Sequence, residues 1–122
     1  NLGLGEKKIE TKAVITKSSG NSGGSRTLTD YYEVKKEDEI QNIKLIDLDS
    51  LNLNKVDFIK IDVEGLGLQV LKGMTNTLTI CNPVVCIELF EQLEKGEQIK
   101  FMHSFGYDLV DIIKKEHVFK KK

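Results

Sequence analysis

The sequence predicts an α/β fold: a mostly parallel sheet layered with helices and closed by a C-terminal antiparallel hairpin. Three observations carry this expectation. The apolar, β-branched run Val56-Asp57-Phe58-Ile59-Lys60-Ile61-Asp62-Val63-Glu64-Gly65 gives way at once to apolar residues at helical spacing, Leu66, Val70, Leu71, Met74 and Leu78. A second apolar run, residues 83–90, leads into an amphipathic stretch over 91–105. The segments 107–113 and 117–119 are separated only by Lys114-Lys115-Glu116, a gap that demands antiparallel pairing. Strands crossed by helices and closed by such a hairpin define a three-layer α/β sheet.

Length and composition narrow the class. The 122 residues suggest one domain at most, covering 1–122, and 39% hydrophobic content is enough for one modest core. A net charge of −1 gives no general electrostatic case for nucleic acid, and Lys120-Lys121-Lys122 reads as a solvated tail. No apolar stretch approaches the roughly 18 residues of a membrane span. No signal-peptide pattern opens the chain. Cys81 and Cys86 are too few for a disulfide framework or a zinc site, which points to a reducing, cytoplasmic setting.

Taken in order, residues 1–6 are Gly-rich and turn-like. Gly3-Leu4-Gly5 resembles the start of a dinucleotide fingerprint, but the third glycine position is Lys8 and a strand follows where a helix is required. Residues 8–17 alternate as a strand near a sheet edge, with Ile9, Ala13 and Ile15 on one side and Val14 on the other. Residues 18–25 (SSGNSGGS) form a loop, either a plain connector or a lid that presents Asn21 to a ligand. Residues 27–38 are poorly patterned; Tyr31 and Tyr32 are expected to cover core edges. A strand centred on Ile43, Leu45 and Ile46 follows. Asp47, Asp49 and Ser50 then offer N-cap side chains for a short helical turn through Leu51 and Leu53; the spacing and glycine of a calcium loop are absent.

The central strand, 57–63, has few polar positions, as expected of a parallel strand covered on both faces. Lys60 is the exception. It shares a face with Asp62, and contact between them would lower the cost of placing either charge there. The helix that follows should end near Ile80, because Pro83 disfavours helix at Asn82. The strand over 83–90 also ends in an acid, Glu88, and Cys86 inside it reads as a small core residue. In the next helix Phe101, Met102 and Phe105 point inward, and Gly106 suits a C′ position. His103 and His117 read as ordinary surface or helix-end residues.

Ligands of open α/β sheets sit at the carboxyl ends of strands. Asp62 and Glu64 lie there, with Glu88 at the end of the neighbouring strand. Such carboxylates can act as a general base, bind a cation or accept hydrogen bonds from a substrate's hydroxyls. The bland reading stays open beside it: Asp62 caps the next helix, and Glu64 is favoured by the helix dipole. A nicotinamide-type reading of Gly65-Leu66-Gly67 fails, because the third glycine position is Val70 and the two acids would repel a pyrophosphate.

The run over 56–65, followed by Val70-Leu71-Lys72-Gly73 and then by Pro83-Val84-Val85-Cys86-Ile87-Glu88, closely resembles the FkbM-type methyltransferase family. Asn21-Ser22-Gly23-Gly24, Leu45-Ile46-Asp47-Leu48-Asp49 and Gly106-Tyr107 fit as weaker parts. The resemblance implies a Rossmann-like fold that uses S-adenosylmethionine to methylate an oxygen, often of a sugar or natural product, so a small-molecule or glycan acceptor is expected. It makes Asp62 and Glu64 catalytic, Asp62 and Gly65 cofactor-binding, and Asn21 and Glu88 substrate-binding, with no metal. There are two departures. Gly67 stands where the family usually has a second glutamate. The family's glycine-rich cofactor loop also belongs to strands ahead of Asn1, so this chain corresponds to the C-terminal part of the domain, is expected to bind cofactor poorly alone, and would leave an open sheet edge that invites self-association. The competing expectations are a truncated, non-catalytic interaction module and, more weakly, a metal site at Asp62, Glu64 and Glu88.

Overall fold

The computed structural model describes residues 2–15, 26–27, 35–36, 38–63, 65–89 and 92–122. The loop over 18–25 with Asn21, the pair Tyr31 and Tyr32, and Glu64 lie outside the described residues. Among the described residues the chain builds two four-stranded sheets.

The first sheet contains β1 (Leu2–Leu4), β2 (Ile9–Ile15), β3 (Arg26–Thr27) and β4 (Glu39–Ile46), in the order β1-β4-β2-β3. β1 runs parallel to β4; β2 pairs antiparallel with both β4 and β3. β2 is therefore an inner strand, not an edge. Its register sets Ile9 opposite Leu45 and Val14 opposite Ile40. Paired residues share a face, so Val14 and Leu45, buried among the described side chains of this sheet, point to opposite sides.

The second sheet contains β5 (Phe58–Ile61), β6 (Val84–Glu88), β7 (Tyr107–Ile113) and β8 (Glu116–Lys121), in the order β5-β6-β8-β7. β5 and β6 are parallel; β6–β8 and β7–β8 are antiparallel. The expected mostly parallel sheet is thus corrected. Among the described residues parallel pairing survives where a helical crossover returns the chain to the same end, between β5 and β6, and in the short β1–β4 contact. The hairpin forms as expected, with Lys114 at φ 59 in its turn.

Three helices cover this sheet: α1 (Gly67–Lys72), α2 (Thr75–Ile80) and α3 (Gln92–Ser104). Their apolar residues Val70, Leu71, Met74, Leu78 and Met102 join one core with Ile61, Val85, Ile87, Leu89, Tyr107 and Phe119. That core takes alternate residues of β6 from one face only. β5 is the end strand, and Phe58 on its uncovered face is 58% exposed. The buried Tyr107 hydroxyl donates to the Leu78 carbonyl at 3.1 Å, tying α2 to the hairpin. Burial pushes the Tyr107 hydroxyl up to about 12.

The helix expected over 66–80 is two helices, and the cause lies upstream. Asp47 caps a 3-10 turn, Leu48–Leu51, through a 2.7 Å bond from the Ser50 amide. This turn aims Asp49 at α2. The Asp49 carboxylate accepts from the Asn76 and Thr77 amides, each at 2.8 Å, and from the Thr77 hydroxyl at 2.7 Å. The Asp49 amide in turn donates to the Gly73 carbonyl at 3.1 Å. A new helix starts where an outside carboxylate satisfies its first free amides. Burial would raise the Asp49 pKa, but these donors outweigh it and hold the carboxyl below its ordinary range. Gly73 is required sterically: a Cβ there would lie 2.0 Å from the Gly5 carbonyl oxygen. No helix among the described residues is long and apolar enough to cross a membrane.

Candidate functional site

Period-2 alternation sends Lys60 and Asp62 to the face of the second sheet that carries no helix. Cys86 and Glu88 on β6 reach the same face, and the β6–β8 register brings Glu116 opposite Glu88. Five polar side chains from three strands therefore meet where β5 and β6 end.

Lys60 organises them. Its ammonium donates to Glu116 Oε1 at 2.7 Å and lies 3.5 Å from Asp62 Oδ2. The expected Lys60–Asp62 contact is present, but Glu116 is the nearer partner. The bond to Glu116 raises the Lys60 pKa and lowers that of Glu116. Cys86 Sγ lies 3.3 Å from the other Glu116 oxygen. Burial first, and this contact second, push the Cys86 thiol up. Partial burial pushes the Glu88 carboxyl up, and its hydrogen bond with Asp62 and the charges of Asp62 and Glu116 add to this.

Asp62 does not cap α1. The N-cap residue is Leu66, and it has no side-chain capping bond. The Asp62 side chain is 63% exposed, touching only the edge of the cluster. Gly65 sits in the turn after β5 at φ 75, with nothing within 4 Å of a would-be Cβ. Its need for glycine is conformational, since a Cβ there would meet no neighbour. Of the expected site residues, the structure thus brings together Asp62 and Glu88, with Gly65 in the turn that follows; Glu64 and Asn21 lie outside the described residues.

Gly67 is buried at the start of α1, and a Cβ there would lie 2.9 Å from Gln98 Oε1. Gln98, 4% exposed on α3, fills the space a side chain at 67 would take, and its Oε1 has no hydrogen-bond partner. The histidines divide. His103 is exposed, 3.8 Å from Asp108, whereas His117 is buried in β8 and not on the surface as expected. His117 Nδ1 sits 2.9 Å from the Lys115 carbonyl, which fixes it as the protonated nitrogen. Among the described residues no three His, Cys, Asp or Glu side chains converge as metal ligands; Glu64 falls outside that set.

Sequence reasoning missed Glu116 and Gln98. Glu116 carried a weak signal, since alternation along β8 places it and Val118 on one face, but its register with Glu88 depends on the turn. Gln98 carried none.

A family model, the methyltransferase FkbM domain, matches residues 2–111. The chain belongs to the FkbM methyltransferase family. No curated protein and no solved structure gives a significant match. Membership makes the chain a methyltransferase in kind. Two glycines of its FkbM motifs now have physical reasons: Gly65 turns the chain after the strand-end acids, and Gly73 admits the Gly5 carbonyl.

Proposed function

We propose that this FkbM domain transfers a methyl group from S-adenosylmethionine to a hydroxyl of a small molecule or glycan. The observation that carries the reading is Asp62: a carboxylate at the end of a parallel strand, largely exposed and not consumed by helix capping. When bound, S-adenosylmethionine supplies an activated methyl on a positively charged sulfur. The donor set here suits such a group, with three carboxylates, Asp62, Glu88 and Glu116, around the ammonium of Lys60. Negative charge beside a sulfonium is electrostatically favourable.

In this reading Asp62 takes the acceptor's hydroxyl proton as the oxygen becomes a nucleophile. Glu88, whose carboxyl retains its proton to higher pH than usual, orients the acceptor by hydrogen bonding. Gly65 is assigned to cofactor binding, Glu64 to catalysis beside Asp62, and Asn21 to the acceptor. The test is transfer of labelled methyl from S-adenosylmethionine to a panel of hydroxylated sugars and small molecules, with Asp62→Asn beside the wild type. Label that appears with the wild type and falls at least about a hundredfold in the variant supports the reading, that being the ordinary contribution of a general base. Transfer that survives the variant unchanged contradicts it.

A further inference from the structure

We propose that His117 is a positioning residue: from the buried face of β8 it pins the Lys114-Lys115 turn to the end of β6, and so fixes where Glu116 stands beside Glu88. Its bearing on function rests on the reading that methyl transfer takes place at those strand ends. The turn has little local reason to hold its shape. Its tip is a pair of lysines, where two-residue hairpin turns favour Asn-Gly or Asp-Gly. Lys114 takes φ 59, a left-handed conformation uncommon outside glycine. Support comes from beyond the turn. The Lys115 carbonyl accepts from the Leu89 amide at 3.1 Å and from His117 Nδ1 at 2.9 Å. Leu89 directly follows Glu88, so one carbonyl joins the hairpin turn to the strand end that carries a candidate acceptor-binding carboxylate.

Histidine is a costly residue for this place. His117 pairs with Ile87 on β6 and Ile112 on β7, and it is 2% exposed. Among the described residues its buried Nε2 has no hydrogen-bond partner. A leucine would bury there without that penalty. What the imidazole supplies in return is the bond to Lys115. The next residue, Glu116, is thereby delivered to Lys60 Nζ at 2.7 Å and to Cys86 Sγ at 3.3 Å, opposite Glu88.

The test is amide hydrogen exchange and carboxyl titration, both followed by NMR, in the 122-residue chain as wild type, His117→Leu, His117→Asn and Lys60→Met. His117→Leu removes the donor and keeps an apolar side chain. His117→Asn returns an N–H at the same distance along the side chain as Nδ1. In His117→Leu the protection of the Leu89 amide should fall about fivefold or more relative to Val85, the weight of one hydrogen bond. Glu116, which the Lys60 bond holds below the ordinary glutamate range, should titrate nearer to that range. His117→Asn should restore both readings. Lys60→Met should leave Leu89 protected, because the ion pair does not hold the turn. A Leu89 amide that stays protected in His117→Leu overturns the proposal. So does a loss spread evenly through β6 with a lower urea midpoint, the mark of a merely structural residue, and so does release of the turn by Lys60→Met. These readouts need neither cofactor nor acceptor. A turn that loosens in His117→Leu, in a chain that transfers no methyl, would sink the methyl-transfer reading and leave the role of His117 intact.

Discussion

The two sheets have the same number of strands and opposite means of support. The second sheet gathers Ile61, Val85, Ile87, Tyr107 and Phe119 on one face under three helices, and these residues are all but fully buried. Among its described side chains the first sheet buries Val14 and Leu45, on opposite faces, while Leu2, Ile9 and Ile40 stay exposed. A sheet without a shared apolar face gains little from burial. Its order comes from strand pairing and from one joint, where Gly5 meets Gly73 and Asp49 caps α2. The candidate site lies on the sheet that has a core, and strand ends held by a packed layer can keep charged groups at fixed separations.

The largest effect should come from the core itself. Phe119→Ala is expected to cost about 3–5 kcal/mol in urea unfolding, and Ile40→Ala, on the first sheet, within about 0.5 kcal/mol. Equal losses would erase the contrast. Next is the joint. Gly73→Ala forces a methyl against a backbone oxygen that cannot rotate away, and should cost about 1–3 kcal/mol. Hydrogen-exchange protection over β1 and β4 should fall with it, and unchanged protection there would mean the sheets are held together elsewhere. Smaller again is the Asp49 cap, worth about 1 kcal/mol. Because its folded pKa is depressed, its stabilisation is fully present above the ordinary aspartate value, about 3.9, and is lost as pH falls through the lower folded value. Asp49→Asn should therefore flatten the acid limb of the stability–pH curve, while a parallel downward offset would show that the bonds matter and the charge does not.

Much of the second sheet was legible in the sequence, because β5, β6 and the hairpin each carry an unbroken local pattern. Gly106 stops α3 at φ 77 as its position suggested. The Lys60–Asp62 contact followed from alternation alone. What the sequence concealed depends on partners distant along the chain. The break before α2 is made by Asp49, and the burial of His117 is set by its neighbours on β6 and β7. Glu116 enters the site only through strand register. The apolar β5 read as a strand covered on both faces, yet Phe58 is exposed, since apolar composition records no direction. Gly67 looked like a missing acid, and the structure shows it matched to Gln98.

The proposed function places methyl transfer at the ends of β5 and β6. The most direct test is backbone amide chemical-shift mapping of the chain with S-adenosylhomocysteine at millimolar concentration. Saturable shifts confined to residues 60–67 and 87–89, lost in Asp62→Ala, are the predicted result. Shifts clustered on the first sheet, or saturable binding that ignores Asp62, would contradict it.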